Sequence, residues 1–257
     1  MPRCIAVAVA CILALATSAS GADFGVIVLH GKSGAPSQHV PALSSALEAK
    51  GHLVSVPTMP WAGTRMYDAT FDQAMAEIDR EVDALRRKGA KRLVVAGHSM
   101  GANAALAYGA SREGIHGVIA LAPAHTPEGA GFSKVVGADV RRAKELVAAG
   151  KATAQQSFSD VNQGRAFSVQ ATPEVYLSWF DPEGAAVMPK SAAGLKRSTA
   201  LLVVEGSRDR LARGKGYIFE QAPAHPKNRF VTVNAGHLEV PAVAVDEVAA
   251  WLNSLRQ

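Results

Sequence analysis

Six short runs of apolar, largely β-branched residues recur along the chain: 24–29 (FGVIVL), 53–56, 93–96, 118–121, 201–205 and 230–233. Within them apolar residues do not alternate with polar ones. Such runs are buried on both faces, which predicts a parallel sheet covered by helices on each side. Helical periodicity fills the gaps. Phe71, Met75, Ile78, Val82 and Leu85 fall at spacings that form one apolar stripe, and Val245, Val248, Leu252 and Leu255 do the same near the C-terminal end. Right-handed crossovers then predict a doubly wound α/β domain of about six mainly parallel strands. In such sheets ligands bind beyond the carboxyl ends of the strands, so the chemistry is sought there.

Composition narrows the field further. A chain of 257 residues fits one α/β domain, and 48% hydrophobic against 19% charged residues excludes a disordered chain. No apolar run reaches the roughly 20 residues of a membrane helix, so no stable membrane insertion is expected. The net charge of +5 is spread along the sequence. Its densest cluster, Arg86-Arg87-Lys88 with Lys91-Arg92, closes a predicted helix, where cations complement the helix dipole. No nucleic-acid partner is expected.

The first 22 residues read as an export signal. Arg3 supplies a positive start, residues 4–17 an apolar core, and Ser18-Ala19-Ser20-Gly21-Ala22 a small-residue exit, with cleavage after Ala19 or Ala22. Cys11 after Ala8-Val9-Ala10 resembles a lipid attachment site, but it lies inside the apolar core rather than at its end. Both cysteines, Cys4 and Cys11, fall in this segment, so the exported chain is expected to hold no disulfide and no cysteine nucleophile. No histidine pair has metal-ligand spacing, and neither a metal nor a cofactor is expected.

The third run leads into Gly97-His98-Ser99-Met100-Gly101 and then an Ala-rich helical stretch. Gly-x-Ser-x-Gly between strand and helix is the pattern of a nucleophile elbow: a serine in a sharp turn leaves no room for side chains two positions away on either side. A serine hydroxyl needs a base. Of eight histidines, His237 is the one placed after the last strand. His98 should point away from Ser99, while His52, His116 and His225 precede strands and His39 lies near a helix start. His30 and His125 follow strands and are expected to line the cleft. Asp209, shortly after the fifth run, is the carboxylate expected to orient His237, with Glu205 as the alternative. Backbone N–H groups of Met100 and of Lys32, after a turn permitted by Gly31, are the expected oxyanion donors. The Lys32 side chain is expected to be free in the loop.

Taken together, His30-Gly31, the pentapeptide at 97–101, Asp209 and His237 resemble the α/β-hydrolase superfamily, over residues 24–255. The resemblance implies Ser99 as nucleophile, His237 as base, Asp209 as its partner and a serine esterase- or lipase-like activity. Because the first run follows the signal directly, the chain is expected to lack the two extra N-terminal strands of the larger family members. The resemblance also leaves open an acyltransferase or perhydrolase on the same triad, or a non-catalytic binding protein. A small-molecule ester is the expected partner; the sequence specifies no oligomeric state. About 75 residues, 124–197, exceed what the minimal plan needs and are expected to form a helical cap. Its expected parts are a flexible 128–131, a helix over 140–149, a polar stretch with Asn162 and Arg165, and a helix over Pro173–Phe180. Loop 57–68 is expected to add a second wall, with Gly31 near the substrate, Trp61 as a flat apolar surface and Arg65 as an anion clamp. Short to medium acyl chains are expected.

Overall fold

The computed structural model describes residues 22–256. Except for Ala22, the export segment, with Cys4 and Cys11, lies outside the described residues. Six strands form the main sheet: β1 Phe24–Leu29, β2 Leu53–Ser55, β3 Arg92–His98, β4 Gly117–Leu121, β7 Ala200–Gly206 and β8 Arg229–Val233. Their order is β2-β1-β3-β4-β7-β8, and every pairing is parallel. Each apolar run therefore became a strand of the doubly wound sheet.

Alternate residues of the central strands feed two separate cores. Val26 and Val28 of β1, Val94 of β3 and Val204 of β7 face one side. There they meet helices α1 Pro41–Ala49 and α8 Val245–Ser254, with the short α7 Val240–Val243 beside them. Ile27, Leu29, Val95 and Val203 face the other side, against α2 Phe71–Arg87 and α3 Met100–Ser111. The stripe of Phe71, Met75, Ile78, Val82 and Leu85 is the buried face of α2. That helix starts at a capping box in which the Thr70 hydroxyl accepts from the Gln73 N–H and the Gln73 side chain accepts from the Thr70 N–H. Among the described residues no helix is long and apolar enough to cross a membrane.

The segment between β4 and β7 corrects two expectations. Its first helix, α4 Ala130–Ala148, begins at the glycines expected to be flexible, with Gly129 as its N-cap, and buries Phe132, Val136, Val140 and Ala143. The polar stretch with Asn162 and Arg165 is not helical. It is an antiparallel hairpin of β5 Gln156–Asn162 and β6 Arg165–Ala171, so the insertion is mixed rather than helical. Its inward positions carry Phe158, Asp160, Val169 and Ala171. Helices α5 Pro173–Phe180 and α6 Met188–Ala193 complete it. Asn103 of α3 ties the insertion down, its buried amide donating to the carbonyls of His125 and Ala186.

Candidate active site

The sheet order reverses between β1 and β3, and the loops leaving those neighbouring strands meet at one place. β3 ends at His98 and α3 starts at Met100, which leaves Ser99 alone in the turn with φ 56° and ψ −116°. An L-residue is strained there. Glycines make the turn possible. A Cβ on Gly97 would overlap the Gly101 carbonyl at the start of α3, and one on Gly101 would overlap the Leu29 carbonyl of β1.

His237 and Asp209 converge on that serine from the ends of β8 and β7. The His237 Nε2 lies 3.0 Å from Ser99 Oγ, and its Nδ1 lies 2.7 Å from Asp209 Oδ2. An ionised carboxylate only accepts, so Nδ1–H donates to Asp209 and the Nε2 lone pair faces the hydroxyl. The other Asp209 oxygen accepts the Leu211 N–H at 2.8 Å. Burial alone would raise the Asp209 pKa; the bonds from His237 and Leu211 outweigh it and hold the carboxyl below its ordinary value. Glu205 is engaged elsewhere, its carboxylate accepting the N–H groups of Arg213 and Gly214. It shapes the turn that carries Asp209.

His98 does more than point away. Its Nε2–H donates to the main-chain carbonyl of His237 at 3.0 Å, and the two rings lie 5.1 Å apart. Burial, and then the neighbouring His237, push its pKa down to about 3, so the ring is neutral and braces the histidine loop. Its position inside the elbow was the only sequence signal for that role.

On the opposite side stands the loop after β1. Neither the N–H of Lys32 nor that of Met100 has a backbone acceptor among the described residues, and the first N–H groups of a helix are free by construction. Gly31 has no left-handed φ; it is small because a Cβ there would stand 3.1 Å from His98 Nδ1. The Lys32 side chain, expected to be free, is buried. Its ammonium donates to Asp160 Oδ1 at 2.6 Å and to the Val161 carbonyl at 3.1 Å. Burial lowers the Lys32 pKa, and Asp160 opposes that shift. The second Asp160 oxygen accepts from the Tyr67 hydroxyl at 2.9 Å.

Trp61 and Arg65 are corrected as well. Trp61 is buried, packs edge-on against Trp179, and donates its indole N–H to the His30 carbonyl. It braces the β1 loop from behind and does not line the cleft at Ser99. The Arg65 guanidinium is occupied by Glu77, Asp68 and the Thr58 carbonyl, which clamps its loop onto α2 instead of holding an anion. His30 likewise braces: its Nε2 accepts the Met59 N–H, so Nδ1–H donates to the Gly31 carbonyl. His125 does line the cleft, with its Nε2–H on the Trp179 carbonyl. Phe132, Asn162 and Gln163 also reach the cleft from the insertion, a part the sequence left unreadable. Among the described residues no group of three or more His, Cys, Asp or Glu side chains converges to hold a metal.

Solved structures with this fold include a monoacylglycerol lipase from Paleococcus ferrophilus, 23% identical, with 90% of this chain and 93% of that one covered at a TM-score of 0.63. Est1E from Butyrivibrio proteoclasticus with ferulic acid bound is 20% identical, covering 90% and 89% at 0.60. The siderophore hydrolase EstB from Aspergillus fumigatus is 15% identical, covering 93% and 92% at 0.62. No curated protein matches the sequence. The family model for the alpha/beta hydrolases matches residues 26–251, nearly the whole span from β1 to α8, and the chain therefore belongs to the alpha/beta hydrolase family.

Proposed function

We propose that this protein is an exported serine hydrolase that cleaves carboxylic esters through an acyl-enzyme on Ser99. One observation carries the reading: His237 stands between the Ser99 hydroxyl and the Asp209 carboxylate at hydrogen-bond distance from both. His237 takes the proton of Ser99 as Oγ attacks the ester carbonyl, and Asp209 holds the tautomer and stabilises the imidazolium. The N–H groups of Met100 and Lys32 receive the developing oxyanion. The C–O bond to the alcohol then breaks, and the alcohol oxygen takes the proton from His237. Water, deprotonated by the same histidine, attacks the acyl carbon and restores Ser99. The names of the structural relatives, a lipase and a siderophore hydrolase among them, agree with this chemistry.

Labelling with a fluorophosphonate and turnover of p-nitrophenyl esters test the reading. Ser99→Ala is expected to lose the label and to lower kcat by a factor on the order of 10⁶; a variant that retains either label or turnover overturns it. Export rests on the apolar core and small-residue exit of residues 1–22. Mass spectrometry of the exported protein is expected to show an N-terminus after Ala19 or Ala22, and an intact leader would remove that proposal.

A further inference from the structure

Two cavities meet at Ser99, and only one of them reaches His237. The larger, about 780 Å³, has Met100, His125, Phe132 and Leu211 in its wall. The smaller, about 140 Å³, is lined by Gly31, Gln38, His39, His98, His237 and Leu238. Besides Ser99, the residues common to both are Lys32, Asn162 and Gln163. The last two belong to the tip of the β5–β6 hairpin, which therefore forms the partition.

That tip is a built feature. Asn162 and Arg165 pair directly, so Gln163 and Gly164 make a two-residue turn, with φ of 49° and 79° at the two positions. Positive φ at both is the turn whose twist matches a hairpin. Behind it, Asp160 is fully buried and holds Lys32 and Tyr67, while the Asn162 amide donates to the Lys32 carbonyl at 3.4 Å. The hairpin and the β1 loop are thus tied to each other.

Proton transfer gives the two cavities a direction, on the ester-hydrolase reading above. The alcohol oxygen leaves with the proton carried by His237, so the alcohol lies on the His237 side. The acyl group stays bonded to Ser99 and extends the other way. We infer that the preferred substrates join a bulky, largely apolar acyl group to a small alcohol, with the Asn162–Gln163 tip separating the two. A cavity near 780 Å³ lies within the range of roughly 300–1,000 Å³ that encloses drug-sized groups, and 140 Å³ lies well below it. Of the short to medium acyl chains expected from sequence, which has no view of cavity size, this selects the longer ones.

Two ester series on the purified full-length protein test the assignment. One keeps methanol as the alcohol and lengthens the acyl group from acetyl to decanoyl; the other keeps octanoyl and lengthens the alcohol from methyl to hexyl. We expect kcat/KM to rise about ten-fold or more along the first and to fall about ten-fold or more along the second. Gln163→Gly suits the positive φ and thins the partition, so it should relax the alcohol discrimination several-fold. Gly131→Trp adds bulk in the wall of the larger cavity, at a position where a Cβ meets nothing within 4 Å. It should lower the octanoate-to-acetate ratio about ten-fold. The opposite order in the two series, or ratios unmoved by both variants, overturns the assignment while leaving the hydrolase reading intact. No turnover of any ester in either series overturns the hydrolase reading itself. Should Gly131→Trp fail to fold, the wild-type series and Gln163→Gly decide alone.

Discussion

Asp209 and Asp160 are both buried carboxylates bound to a basic side chain beside the Ser99 turn, and they belong to different parts of the molecule. Asp209 hangs from β7 of the main sheet and holds His237 through the ring nitrogen that faces away from Ser99. Asp160 sits on a hairpin outside that sheet and holds Lys32, whose amine also touches a main-chain carbonyl. The first pair points its partner at the Ser99 hydroxyl; the second holds the β1 loop against the hairpin. On the proposed function, similar chemistry serves proton transfer in one region and placement in the other, because of the two basic groups His237 is the one that turns a nitrogen toward Ser99.

The comparison can be broken most sharply at Asp209. Asp209→Asn should lower kcat on a p-nitrophenyl ester by roughly 10⁴, since the amide no longer holds the reactive tautomer. Its urea midpoint should move less than that of Asp160→Ala; an Asp209→Asn enzyme with near-normal kcat contradicts the assigned division. Asp160→Ala leaves a buried ammonium without its counter-ion and a buried phenol without its carboxylate acceptor, and should cost about 3–5 kcal/mol in urea unfolding. In the cycle with Lys32→Met, the double variant should cost less than the two singles added together; strict additivity means that the pair does not act as a unit.

Acid should weaken the site from the His237 side. His98 is pushed down to about 3 in the folded protein, against an ordinary 6.5, so the unfolded chain binds its proton first. The stability this ring contributes is complete above pH 6.5 and drains away as pH falls toward 3. Burial depresses the pKa of His125 and His30 too, which adds in the same direction. Urea midpoints at pH 7, 5.5 and 4 should decline steadily, and His98→Gln should flatten part of that slope; an identical slope removes His98 from the account. The smallest effect belongs to Arg65. Its ion pairs are partly solvent-exposed, so Arg65→Ala should cost about 1 kcal/mol or less and leave KM equal for acidic and neutral esters.

What was legible in the sequence followed from what each region buries. A strand covered on both faces must be apolar throughout, so β1, β3, β4 and β7 could be read directly, and the two glycines around Ser99 are forced by atoms that would otherwise overlap. The hairpin hid because Asp160 occupies an inward position where alternation calls for an apolar residue. A residue placed for an ion pair 128 positions away cannot announce itself locally. The first turns of α4 hid behind Gly129, Gly131 and Gly137, although Phe132, Val136, Val140 and Ala143 keep helical spacing. With Trp61 and Arg65 the loop was identified, but pattern says nothing about where a loop side chain points.

The insertion leaves the sheet after Leu121 and returns at Ala200, and the strands bearing those residues are hydrogen-bonded neighbours. Its two anchor points are thus fixed in space by the scaffold, whatever length of chain runs between them. Evolution, or a designer, is free to exchange that faceplate for another and recut the shape of the substrate, while the serine, the imidazole and their carboxylate stay mounted on β3, β8 and β7.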